Sequence, residues 1–276
     1  MSSNTKANNT ALWDKNRAVI RSSIGGWKVG EAVYSHGYSM MDDFVGKLSY
    51  MQVAILNACG RLPERNAADW AEQILICMSW PDSRIWCNQI GALGGTNRTS
   101  VIAATCAGIL ANDSRTYGAK PLMEGVRFIQ SAQSQIQKGV TIEKIIENEC
   151  AKHGGKPHIM GYARPIAKGD ERISVMEEVQ KNLKIPFGPH HKLAHAISDT
   201  LQAQFDESMN FNGYTAAVLA DLNYSPMEAY RVSFLGVSSG VTACYVDTMG
   251  KPSESFFTQR CGDINYTGKA LRQLPE

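Results

Sequence analysis

Between residues 154 and 172 the chain runs Gly154-Gly155-Lys156-Pro157-His158-Ile159-Met160-Gly161-Tyr162-Ala163-Arg164 and then, past residue 168, Gly169-Asp170-Glu171-Arg172. The Gly-Gly-Lys-Pro run is the clearest punctuation in the interior and marks a candidate joint between domains or subdomains. Directly after Arg172, residues 173–183 carry Val175, Met176, Val179 and Leu183 at helical spacing, which directs them toward a core. Working outward, residues 43–56 carry Phe44, Leu48, Met51 and Leu56 near the same spacing. Asn66 is placed to cap a helix with Asp69 in its first turn and Trp70, Ile74 and Cys77 on one face. Residues 98–110 are rich in Ala, Gly and Thr, which suits close helix–helix approach. Helices also fit residues 141–150 and 190–205, the latter with Leu193, Ile197, Leu201 and Phe205 on one side. Ser225-Pro226-Met227-Glu228 is a capping box with proline at the first helical position, opening a helix that extends into residues 236–247. Alternating strand-type segments are few, so the expected fold class is all-α, with ten or more helices.

The 276 residues hold 28 Lys+Arg against 26 Asp+Glu, and 43% are hydrophobic. That composition is globular, and it excludes collagen-like, disordered and disulfide-scaffold chains. A formal charge of +2 gives no electrostatic reason to expect nucleic acid or an anionic membrane as partner. Seven cysteines stand far apart with no C-x-x-C pair, and several sit in apolar runs, which points to a reducing, cytoplasmic setting. Residues 1–10 are polar and rich in Asn and Ser; they read as a disordered N-terminus rather than a signal or transit peptide. The longest apolar run, residues 101–111, falls far short of the roughly 20 residues a bilayer requires.

Several motifs fail. No Walker loop, G-x-G-x-x-G, H-E-x-x-H or metal-spaced cysteine set occurs. Gly236-Val237-Ser238-Ser239-Gly240 fits G-x-S-x-G, but a nucleophile elbow needs a strand before it, and the flanks here are helical. The favoured reading is a set of small residues at a tight helix contact. His191 and His195 are i,i+4 on one helix face and could hold a metal, yet no second ligand cluster stands nearby in sequence. With His190, they read as solvated or capping histidines, and no metal site is expected.

Three stretches together resemble the citrate synthase superfamily. Gly60-Arg61-Leu62-Pro63, after Ala32-Val33-Tyr34-Ser35-His36-Gly37, is similar to that family's tyrosine–glycine segment and G-x-L-P turn. Residues 156–164 and Gly169-Asp170-Glu171-Arg172 resemble its I-M-G-x-G-H-R … D-P-R segment. Met209-Asn210-Phe211-Asn212-Gly213-Tyr214 resembles its N-V-D-x-x-x-G segment. Order and spacing agree over nearly the whole chain, and the short length looks most like citryl-CoA lyase and the lyase module of ATP-citrate lyase. The resemblance implies a large helical domain (residues 11–116 and 213–276) and a smaller mobile one (117–212). It also implies a homodimer packed through helices, with no covalently bound cofactor and a coenzyme A thioester as substrate in the cleft.

The departures concern chemistry. By the same alignment Arg164 occupies the family's histidine position, Asn212 its carboxylate position, Tyr117 a second histidine position, and Asp82-Ser83 an earlier Asp-His pair. Arg172 is retained, and Arg260 corresponds to an arginine near the C-terminus. An amide cannot accept a proton at neutral pH, and a guanidinium cannot release one. Ordinary citrate synthesis from oxaloacetate and acetyl-CoA is therefore expected to be absent. One reading is a repurposed enzyme on an acyl-CoA or related carboxylic acid, making or breaking a carbon–carbon bond or adding water. In it Arg164 and Arg172 grip anionic groups, Tyr117 donates a proton or hydrogen bond, and Asp82, His158 or Asp263 supplies a base. The other is a catalytically inactive protein that binds CoA or pairs with an active subunit. Structural roles also fit the same residues: Arg164 as an exposed loop residue, Arg172 as a surface charge, Tyr117 as a packing aromatic and Asn212 as a helix cap.

Overall fold

The computed structural model describes residues 10–164, 168–233, 236–256 and 261–275, so residues 1–9 of the expected disordered segment lie outside the described residues. The chain divides into two compact units, Met1–Ala68 and Asp69–Glu276. In the first, α1 (Ala11–Asn16) precedes an antiparallel sheet of β1 (Gly25–Lys28), β2 (Ala32–Ser35) and β3 (Tyr38–Ser39). His36 and Gly37 both have positive φ, 49° and 84°, and join β2 to β3 through a two-residue turn of the kind that matches strand twist. A π-helical turn over Met40–Phe44 follows, then α2 (Tyr50–Cys59).

The helix expected over residues 43–56 is thus interrupted. Ser49 accepts from the Gln52 amide and the Gln52 side chain returns to the Ser49 backbone, a capping box that starts a new helix at Tyr50. Met51 and Leu56 are buried as their spacing suggests. Helix α3 (Arg65–Met78) starts one residue before the expected cap: Asn66 lies inside it, its side chain accepting from the Ala67 amide.

The second unit continues with α4 (Trp86–Thr96), α5 (Val101–Asn112), α6 (Ala119–Gln137) and α7 (Ile142–Ala151). It ends with α8 (Glu171–Asn182), α9 (Pro189–Phe205), α10 (Phe211–Asp221), α11 (Pro226–Val232), α12 (Ser238–Met249) and a 3-10 turn at Cys261–Asp263. The expected tight helix contact forms where α4, α5 and α12 meet. A Cβ added to Gly91 would strike the Val241 carbonyl, one on Gly95 the Thr248 hydroxyl, and one on Gly108 the Val241 side chain. Thr105 and Thr242 hydroxyls hydrogen-bond at 3.0 Å across the α5–α12 contact.

Residues 236–240 open α12, and the element before them among the described residues is helix α11; Gly240 lies against the Trp80 carbonyl and the Asn88 amide. The single helix expected from residue 225 into 247 is instead two helices, α11 and α12. The capping box at Ser225 and Glu228 is formed as predicted.

Helix α10 is buried nearly all round, with Phe211 and every residue from Gly213 to Ala220 inside, the pattern of a central core helix. Beside it, the Tyr214 hydroxyl receives Trp70 Nε1 at 3.2 Å and stands 3.0 Å from the Met176 carbonyl and 3.1 Å from Gln180 Oε1. Gln180, fully buried, donates onward to the Pro186 carbonyl at 3.1 Å. On α8 the interior is filled by Met176 and Gln180, whereas Val175, expected in the core, is 59% exposed. On α9, Leu193, Ile197 and Leu201 are buried, and Phe205 at its end is exposed. No helix of the described residues is long and apolar enough to cross a membrane.

Candidate functional site: an arginine pair around Asp170

Asp170 is the N-cap of α8, its carboxylate accepting from the Arg172 amide at the helix start. The same carboxylate receives Arg172 Nε at 2.8 Å and Nη2 at 2.7 Å, a bidentate fork. It also accepts the Phe211 amide at 2.9 Å, tying α8 to the start of α10, and Arg164 Nη1 lies 3.9 Å away. The Asp170 side chain is fully buried. Burial alone would push its carboxyl up; the Arg172 hydrogen bonds and charge, the Phe211 amide and the Arg164 charge together hold it below the usual carboxylate range.

Arg172 stacks over the Phe211 ring at 4.4 Å and stands 5.9 Å from the Trp80 ring. With Nε and Nη2 spent on Asp170, its Nη1 meets the Met78 sulfur at 3.9 Å. Arg164 is 11% exposed, so it is no exposed loop residue; its Nη1 pairs with Glu171 Oε2 at 2.5 Å and reaches the Gly169 carbonyl at 3.4 Å. Glu171 and the arginine strengthen each other's charge: the Glu171 hydrogen bond raises Arg164, and the Arg164 bond lowers Glu171.

Backbone packing holds Arg164 near α10. Gly161, at φ +98°, backs directly onto Gly213, where neither position has room for a side chain. The Gly161 carbonyl accepts the Asn210 amide at 2.9 Å, and Asn210 Nδ2 donates to the Ala163 carbonyl at 2.6 Å. Asn210, not Asn212, caps α10, accepting the Asn212 and Gly213 amides. Asn212 is inside the helix, and its Nδ2 donates to the Pro121 carbonyl of α6 at 3.0 Å.

Tyr117 precedes Gly118, whose φ of +87° turns the chain into α6. Its ring packs on the apolar cluster of Cys87, Val237 and Val241. Burial pushes the Tyr117 phenol up to about 12, the Cys87 thiol adding to it and the charge of Arg172 opposing it, so the hydroxyl is a neutral donor at physiological pH.

Of the residues singled out in the sequence, Arg164 and Arg172 therefore share Asp170 at the α8 start, Asn212 sits in the first turn of α10 with its amide turned to Pro121, and Tyr117 packs on the Cys87 cluster. Asp82 and Ser83 sit in a turn before α4, where Arg84 forks onto the Asp82 carboxylate, with Nη2 at 2.6 Å, and holds it down to about 2. His158 is exposed, its ring 5.0 Å from that of His153. Asp263 is exposed in the C-terminal 3-10 turn, and Arg260 lies outside the described residues. The role of Asp170 as the hub was not drawn from the sequence. Its signal was an acid directly before a helix and two residues before an arginine.

No protein-family model matches the sequence. No curated protein sequence matches it either. Solved structures do. Citryl-CoA lyase from Hydrogenobacter thermophilus superposes with a TM-score of 0.76 at 23% identity, over 93% of this chain and 98% of that one. ATP citrate lyase from Methanothrix soehngenii, solved with citrate and coenzyme A, gives a TM-score of 0.76 at 17% identity, over 96% of this chain and 45% of that one. Citrate synthase from Thermoplasma acidophilum, solved with carboxymethyl coenzyme A and oxaloacetate, gives 0.64 at 16% identity, over 83% of this chain and 59% of that one. The described residues thus adopt a mostly helical, citrate-synthase-like fold.

Proposed function

We propose that this chain is a citrate-synthase-like enzyme with an altered active site. It acts on a CoA thioester or related carboxylic acid and cleaves or forms a carbon–carbon bond in the manner of a citryl-CoA lyase. The single observation that supports this reading is the pairing of Arg164 and Arg172 around Asp170, within a fold shared with citryl-CoA lyase. In this reading residues 11–116 and 213–276 form the large domain and 117–212 the small one, and the functional unit is a homodimer.

The chemistry follows from what each group can do. Cleavage of a β-hydroxyacyl thioester breaks the bond between the α-carbon and the carbinol carbon. The proton the hydroxyl loses ends on the α-carbon of the thioester enolate, so a phenol that protonates that carbon is restored by the proton from the hydroxyl. Tyr117, held protonated by burial, donates a hydrogen bond or proton to the enolate side. Arg172 and Arg164 counter the negative charge that develops or that the substrate carboxylates bring. Asn212 orients substrate through its amide and accepts no proton. Asp82 is held too low to serve as a good base at neutral pH.

A second reading, a catalytically inactive subunit that binds CoA or pairs with an active partner, is favoured by a different observation. Arg164, Arg172 and Asn212 each already have an internal partner, in Glu171, Asp170 and the Pro121 carbonyl. One experiment separates the two. Citryl-CoA and a panel of acyl-CoAs are followed by mass spectrometry with the wild type and Tyr117→Phe, beside calorimetry with CoA and acetyl-CoA. Turnover of any member, lost by at least tenfold in Tyr117→Phe, supports the enzyme; CoA binding with no product supports the inactive subunit. Rapid thiol release from acetyl-CoA and oxaloacetate would overturn the assignment of an altered site.

A further inference from the structure

Three side chains outside the Asp170 cluster converge where α8 passes α9. His191 and His195 are one turn apart on α9 and face the same way. Glu177 comes from α8, supplying the ligand that the local sequence around the histidines lacks. Its Oε1 is 3.2 Å from His191 Nε2 and 2.7 Å from His195 Nε2, and the three donor atoms all lie within 4.8 Å of one another. Distance alone would allow two hydrogen bonds, yet neither buried Nε2 makes one of acceptable geometry. The carboxylate oxygen thus stands at ion-pair distance from both rings.

The surroundings fix the histidines. Asp221 of α10 accepts the His190 and His191 amides, both at 2.9 Å, and so pins the first turn of α9. The His191 ring lies against Phe187 at 4.6 Å and edge-on to Tyr214 at 5.9 Å. Such packing sets the direction of a ligand nitrogen before any ion arrives. His195, by contrast, is 40% exposed, although its Nε2 is buried.

We propose that His191 Nε2, His195 Nε2 and a Glu177 carboxylate oxygen form a binding site for a divalent transition metal of the zinc class, clasping α8 to α9. A zinc ion about 2 Å from each donor in tetrahedral array sets the donors about 3.3 Å apart. The 3.2 Å separation already matches, and the 2.7 Å one needs a small outward movement of the exposed His195 ring. Two imidazoles and one carboxylate select such a metal over magnesium or calcium, which prefer all-oxygen sites. Water completes the coordination.

The test uses the full chain prepared without a polyhistidine tag and stripped with chelator. Zinc chloride is titrated by calorimetry, and cobalt chloride by visible absorption, with no substrate present. One equivalent of zinc is expected, with the intense visible bands of low-coordinate cobalt, and affinity about tenfold or more weaker in both His195→Ala and Glu177→Gln. Both side chains reach solvent, and a circular-dichroism spectrum identical to wild type establishes that the variants are folded. Absence of stoichiometric binding, or binding that neither substitution weakens, would overturn the proposal.

Discussion

Helix α8 bears two carboxylates in opposite circumstances. Asp170, at its start, is fully buried and saturated: it takes a bidentate arginine and two backbone amides, with a second arginine nearby. Glu177, on the same helix, is a quarter exposed and stands at ion-pair distance from two histidine Nε2 atoms, neither in a well-formed hydrogen bond. A buried charge is tolerated where every lone pair is answered, and the first site meets that condition. The second leaves polar atoms buried and unanswered, which is the condition a ligand relieves.

The sharpest way to break this contrast is to remove a carboxylate from each. Asp170→Asn leaves the Arg172 guanidinium without its counter-charge beneath Phe211. The expected loss of stability is about 3 kcal/mol, the low end for a broken buried pair because Arg172 keeps some solvent contact. Urea denaturation at pH 7 measures it. Glu177→Gln, in the absence of metal, should change the midpoint far less, since no well-formed hydrogen bond from either histidine is lost; an equal loss in both variants would dissolve the distinction.

The polar core offers an intermediate test. Tyr214→Phe removes the acceptor of Trp70 Nε1 and the hydrogen-bonding partner of Gln180 in a region with no access to water. The expected cost is about 1–3 kcal/mol, read as a lowered urea midpoint with an unchanged slope.

Acid sharpens the first comparison. The folded-state pKa of Asp170 lies below its unfolded value, so the folded state holds fewer protons in that interval and the group contributes stability above the unfolded pKa of about 3.9. That contribution is lost as pH falls through the lower, folded value. The stability gap between wild type and Asp170→Asn should therefore be constant from pH 7 to about pH 5 and close progressively below pH 4. Paired denaturation curves across that range measure it; a gap that closes between pH 7 and 5 would mean that another group carries the effect.

How much of this was written in the sequence follows from the range over which each feature is determined. Caps are local, and Ser225 acts as the pattern predicts. The Gly- and Ala-rich stretch signalled its close helix contact because small side chains have one common use there. The sheet was hidden because β1 is exposed along its whole length, so no alternation of polar and apolar residues marks it. Arg172 and Asn212 were legible through their motifs, but the burial of Asp170 between two arginines is a tertiary fact. The same holds for Glu177: the histidine pair was visible as i,i+4, and its third member lies on another helix.

Val175 shows the limit of periodicity at a single residue. Its spacing with Val179 placed it inward, yet Met176 and Gln180 fill the interior and Val175 is 59% exposed. Gln180 wins the buried position because the Tyr214 hydroxyl and the Pro186 carbonyl satisfy its amide, which removes the usual penalty on a buried polar group. Val175→Ser should then alter stability by less than about 0.5 kcal/mol, because valine and serine have similar helix propensity and the site has little packing to lose. A shift in urea midpoint equivalent to about 2 kcal/mol would instead mean that this face of α8 is covered in solution, and that the exposed Val175 marks a contact with a second chain.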